Sequence, residues 1–229
     1  MSRTKDRKTN RRERKAEFDF PLGWGGARRG AGRRRDPRSG VTHGPRPALG
    51  KTHPVHLTLR FAPDLPNLRR PGMAALLRHA FDAGRDRFGF RLVHFTIQSN
   101  HLHLIAEAED ARALSREMQG LGVRIAKALN KELDRGGRVL SDRYHARQLR
   151  SPRQVWNALR HVINNALKHG VRCALPDPCS SGRAFDGWRD HEPAPGSFAP
   201  VCLARTWLLR VGWRRGGLIA LSEAPARPG

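Results

Sequence analysis

Apolar and polar positions fall into step at Val55. From there Val55, Leu57, Leu59 and Phe61 take alternate places, with His56, Thr58 and Arg60 between them, which predicts a strand with one buried face. Pro71 suits a first helical turn. Leu76, Leu77, Ala80, Phe81 and Phe88 then recur at helical spacing, in a stripe interrupted at Gly84 and ended near Gly89. A second strand has Val93, Phe95 and Ile97 on one face and His94, Thr96 and Gln98 on the other. Ser99-Asn100 makes a turn, and a third strand sends His101 and His103 to one side and Leu102, Leu104 and Ala106 to the other.

A long helix follows, with Asp110 as its N-cap, and Leu114, Met118, Leu121, Ile125, Leu129 and Leu133 as its apolar stripe. Gly136-Gly137 ends it. The opposite face carries Arg112, Arg116, Arg124, Lys127, Lys131 and Arg135, either a solvated stripe or a contact for phosphates. Arg138-Val139-Leu140 reads as a short fourth strand. Ser151-Pro152 opens a third helix that runs to about Lys168. Val155, Leu159, Val162 and Ala166 form its packing side; Asn157, His161, Asn164, Asn165 and Lys168 form its polar side. His161 and Asn165, four apart, share a face. The order strand, helix, strand, strand, helix, strand predicts an α+β, ferredoxin-like antiparallel sheet with two helices on one face and the added helix near the other. The second face is then polar, with His56, Thr58, His94, Thr96, Gln98, His101 and His103.

This patterned domain spans residues 51–170. Residues 1–50 are rich in Arg, Gly and Pro and too poor in apolar side chains to offset chain entropy, so they predict a disordered basic tail, with Arg33, Arg34 and Arg35 as its densest run. Residues 171–229 predict a weakly structured basic extension. Its Trp207-Leu208-Leu209-Arg210-Val211-Gly212-Trp213 stretch either stacks on bases or packs back on the domain.

The chain has 44 Lys and Arg against 20 Asp and Glu, a formal net charge of +24 and a pI near 11.7. Such an excess calls for a polyanionic partner, and nucleic acid rewards clustered Arg and Lys by counterion release. No apolar run approaches the roughly 20 residues of a spanning helix, and the amino terminus lacks an apolar signal core, so the reading is a cytoplasmic protein without a membrane partner. Cys173, Cys179 and Cys202 form neither a disulfide framework nor a zinc-ribbon spacing and read as free thiols.

Two imidazoles on one strand face suit a metal ion, or are simply solvated. A metal would draw a further ligand from another element, and the third helix offers Asn165, with His161 beside it. The Asn100-His101-Leu102-His103-Leu104 core, the Leu114 to Gln119 helix, the Arg138 to His145 segment and the Asn164 to Gly170 segment together resemble the HUH class of single-strand DNA transposases, and within it the REP-associated tyrosine transposases. The resemblance implies Mg²⁺ or Mn²⁺ held by His101, His103 and Asn165, and single-stranded or hairpin DNA as substrate. It implies cleavage and rejoining through a tyrosine one turn before the third ligand, by a monomer or homodimer, with Arg116, Arg124, Lys127, Arg143 and Lys168 as DNA contacts beside the basic tail.

The chain departs from that pattern at the nucleophile, because His161 stands where the tyrosine is expected and Tyr144 is its one tyrosine. Tyr144 is then either a relocated nucleophile or a packed or stacking aromatic. His161 is a nucleophile through phosphohistidine, a further metal ligand, a proton-transfer group, or the mark of lost cleavage. Three functions stay open: a strand-transferring transposase, a cleavage-deficient DNA-binding descendant, and a metal-dependent hydrolase.

Overall fold

Regular alternation from Val55 produces the strand at the centre of the fold. In the computed structural model, which describes residues 48–168, 170–193 and 199–225, β1 (Val55–Arg60) pairs antiparallel with β4 (His101–Ala108) on one side and β5 (His145–Gln148) on the other. Beyond β4 come β3 (Phe90–Ile97) and a two-residue β2 (Asp86–Arg87), giving the order β2-β3-β4-β1-β5. Without β2 this is the strand order of the ferredoxin-like plan. Arg33, Arg34 and Arg35 lie outside the described residues, as does His169.

One face of the sheet carries Val55, Leu57, Leu59, Leu92, Phe95, Ile97, Leu102, Leu104 and Ala106. They pack against α1 (Pro71–Asp82) and α2 (Ala111–Glu132) through Leu77, Phe81, Leu114, Met118, Ile125 and Leu129. Asp110 caps α2 as expected, its carboxylate accepting from the Ala113 amide at 2.7 Å. Gly84, just after α1, lies against the ends of the Arg124 and Glu117 side chains of α2, which a Cβ there would push aside. Glu117 is buried and ion-paired with Arg124, whose Nε also donates to the Ala80 carbonyl at 3.3 Å.

The other face is covered as well. Val93, Ile105 and Leu149 pack with Val155, Leu159, Val162 and Ile163 of α3 (Pro152–Ile163), and with Phe185, Trp188, Leu208, Leu209, Trp213 and Ile219 from the C-terminal segment. That segment has little regular structure: a 3₁₀ turn at Ser181–Ala184, a single turn α5 (Trp207–Arg210) and a 3₁₀ turn at Gly212–Gly216. It nevertheless completes a second core. Trp213 packs into it while Trp207 stays exposed.

Four expectations are corrected. Phe88 lies beyond α1 in the β2–β3 loop. Val93 leaves the face of Phe95 because a bulge between Leu92 and His94 sends it toward Ile105 and α3. The fourth main strand is His145–Gln148, while Leu140 makes only an isolated bridge to Phe61. The third helix breaks at Asn164, whose amide donates to the Ala220 and Glu223 carbonyls at 2.9 and 3.1 Å, and a short α4 (Asn165–Lys168) follows. The sheet's polar face is also closed over, with Thr96, Gln98 and His103 buried beneath α3 and the C-terminal segment.

Candidate metal centre

Strand register assembles four imidazoles. Thr58 of β1 sits opposite His103 of β4, and His56 lies on the same face one step diagonally away. The α3 helix crosses this face and lays the His161 ring 4.7 Å from the His103 ring and 5.6 Å from the His56 ring. His101, two residues before His103, brings its ring to 4.8 Å at nearly a right angle. His103 is thus central, and one ligand atom each from His56, His103 and His161 lie within 4.8 Å of one another.

The contacts around the rings turn both Nε2 atoms of β4 toward each other. Asn100 Oδ1 accepts from His101 Nδ1–H at 2.8 Å, leaving the Nε2 lone pair pointing away from it. Thr58 Oγ1 lies 3.1 Å and His56 Nε2 3.2 Å from His103 Nδ1, each able to donate to it or accept from it according to the tautomer. The two Nε2 atoms face each other at 3.1 Å, so they share a hydrogen bond when His103 carries its proton on Nε2 and present two lone pairs to a cation when it carries it on Nδ1. A second proton on His103 is disfavoured, because burial, and then the neighbouring His56, His161, His101 and Lys168, push its pKa far below the ordinary value. A cation fits: two ligand atoms at right angles, each about 2.1 Å from one ion, stand roughly 3.0 Å apart.

A second observation points the same way. Asn165 is fully buried; its amide donates to the His161 carbonyl at 3.1 Å and lies 3.2 Å from His161 Nε2, while its Oδ1 has no hydrogen-bond partner. Orphaned buried oxygens are costly unless something is bound to them. The side-chain oxygens of Asn100 and Thr58 lie beside the two Nδ1 atoms, where outer partners orient histidines at metal sites.

The expected residues separate into two groups. His101, His103, Asn165 and His161 come together, and Lys168 stands near enough to depress His103. His56 joins them although the sequence reading placed it only on the polar face; the signal for it was the β1 alternation, whose meaning depends on register. Tyr144 goes to the opposite face, packed against the α1–α2 core with its hydroxyl 3.5 Å from Ser115 Oγ of α2. Arg143 lines a pocket of about 240 Å³ beside it. Arg116 and Lys127 are exposed on α2, and Arg124 is committed to Glu117. Next to His101 opens a cleft of about 630 Å³ with Arg69, Arg70 and Asn100 in its wall. Arg69 is itself anchored by a bidentate pair with buried Asp177, at 2.8 and 2.9 Å.

No protein-family model matches the sequence, and no curated protein matches it significantly. Among solved structures, a REP-associated tyrosine transposase bound to a REP hairpin is similar at a TM-score of 0.52 and 15% identity, over 72% of this chain and 93% of that one. A protein from Deinococcus radiodurans provisionally described as a transposase is similar at a TM-score of 0.37 and 13% identity, over 59% of this chain and 100% of that one. At such identities the first likeness is one of fold: this chain shares an α+β framework with that protein, here built on a five-stranded antiparallel sheet.

Proposed function

We propose that the chain binds DNA as a hairpin or single strand and holds a divalent cation at His101, His103 and Asn165 against a phosphodiester, without tyrosine-mediated strand transfer. The observation that supports it most is the pair of facing Nε2 atoms on β4, each histidine with a side-chain oxygen beside its Nδ1. Of the two ions the resemblance implies, Mg²⁺ dehydrates reluctantly and is held by oxygen, so Mn²⁺ is the ion used in the tests. A cation bound there would polarise a phosphoryl oxygen and neutralise charge that develops on it. The protein's own groups do the rest. Arg70 lines the cleft that leads to His101, beside an Arg69 held by Asp177, and offers a phosphate-bearing strand a cation there.

The missing step follows from where the aromatic hydroxyl is. Tyr144 is the one tyrosine of the chain and lies across the sheet from the histidines. At the position of the expected nucleophile, His161 offers an imidazole held against Asn165. The test is incubation of the protein with Mn²⁺ and a DNA hairpin flanked by single strands. Wild type is expected to bind and form no covalent adduct, and His161→Tyr to form one that depends on the metal. An adduct in wild type that disappears in Tyr144→Phe contradicts the proposal, and metal-dependent cleavage without any adduct points to a hydrolase instead.

A further inference from the structure

The β2–β3 hairpin holds a phenylalanine that serves neither core. Arg87 pairs with Phe90, so Phe88 and Gly89 form a two-residue loop, and both have positive φ, 53° and 77°. This is type I′ geometry, in which Asn or Gly ordinarily takes the first place and a bulky side chain is an outlier. Such strain costs about 1–3 kcal/mol and persists only where something offsets it. Burial does not: Phe88 is 53% exposed. Its ring instead lies beside two guanidiniums, with Arg87 at 4.8 Å and Arg116 of α2 at 5.4 Å from the centroid. Exposed cation–π contacts return about 0.5–1 kcal/mol each, so the loop gains little stability over Asn-Gly by carrying a phenylalanine. Among the described residues neither guanidinium has a carboxylate partner.

We infer that Phe88, with Arg87 and Arg116, is a stacking contact for an unpaired base of bound DNA, the ring taking the base and the guanidiniums the adjoining phosphates. An exposed aromatic between two cations is the combination that single strands reward, because every base has a face to stack and every nucleotide a charge to neutralise. The contact is separate from the histidine site. Phe90, next in the hairpin, pairs with Ala108, which is five residues and about 17 Å along β4 from His103. Arg116 belongs to the helix layer on the opposite face. It therefore serves a part of the DNA that does not enter the histidine site, such as an unpaired loop or flank of a hairpin.

The inference rests on the nucleic-acid reading above, and its test separates the two. The probe is a DNA hairpin with unpaired loop and flanks, carrying 2-aminopurine at each unpaired position in turn. Phe88→Asn relieves the strained turn, so thermal stability is expected to stay level or rise while affinity falls roughly 5- to 150-fold, the effect of one stacked base. Fluorescence quenching at one position is lost with it. Phe88→Trp keeps both binding and quenching. Arg116→Gln weakens binding and lowers the slope of log affinity against log salt by about one. Binding by Phe88→Asn as tight as wild type, or quenching independent of position 88, overturns the inference and leaves the histidine site standing. A wild type that binds no DNA overturns the nucleic-acid reading and this inference with it.

Discussion

His94 shows at the scale of one side chain how this fold treats its histidines. Its ring meets Phe185 edge-on at 5.4 Å, Nδ1 lies 3.2 Å from Ser181 Oγ, and burial, opposed only by Asp186, lowers its pKa to about 4. His56, buried near His161, His145 and Arg147, falls to about 3. A histidine held neutral in the fold is free to take a proton once unfolded. Between pH 6.5 and about 4 the unfolded chain therefore binds more protons, and stability drops as pH falls through that window. Each such group adds up to about 1.4 kcal/mol per pH unit. His94→Gln, which keeps a partner for Ser181, should lose less of its urea midpoint between pH 7 and pH 5 than wild type does; an equal loss contradicts the assignment. Residue identity was the most legible level of the site. The alternation of β4 put His101 and His103 on one face, but the inclusion of His56 depended on strand register, and the place of Tyr144 on which face the residue before β5 takes. Neither is written in local pattern.

At the scale of elements, period and caps were readable, while endings set by distant partners were not. Asp110 and Ser151 announced α2 and α3, and both accept the expected backbone amides. The break at Asn164 follows from carbonyls at Ala220 and Glu223, more than fifty residues away, and the bulge at Val93 from α3 needing an apolar contact on the second face. The C-terminal segment depends most on such long-range contacts. Glu107 of β4, buried beside Arg91, accepts from the Arg205 amide at 2.9 and 3.0 Å and from the Thr206 amide at 2.7 Å, tying down the entry to α5. Replacing Glu107 by Gln substitutes an amide for one acceptor oxygen, at a cost of about 1–3 kcal/mol. Tryptic cleavage after Arg205 and Arg210 should then become faster than in wild type, with the earlier strands still protected. Unchanged cleavage would show that the apolar packing of Leu208, Leu209 and Trp213 holds the segment without the carboxylate.

For the whole molecule the sheet is a partition. One face builds an ordinary core with α1 and α2; the other holds polar groups at one end and a second apolar core at the other, roofed by α3 and the C-terminal segment. The fourth main strand, His145–Gln148, lies beyond the Arg138 to Leu140 stretch that the pattern suggested, whereas the order of strands and helices and the other three main strands were legible because their apolar faces alternate regularly in the sequence. The second core was not, since its contributors are scattered from Val93 to Ile219 and several sit in segments without periodicity. No helix among the described residues is long and apolar enough to cross a membrane. The central claim, a divalent cation between His101 and His103, is tested most directly by titration calorimetry with Mn²⁺ on variants shown by circular dichroism to be folded. Wild type should bind one ion per chain, His103→Ala should lose it, and His101→Ala and Asn165→Ala should weaken it at least tenfold. Equal Mn²⁺ binding by wild type and the His101→Ala/His103→Ala double variant would contradict the account.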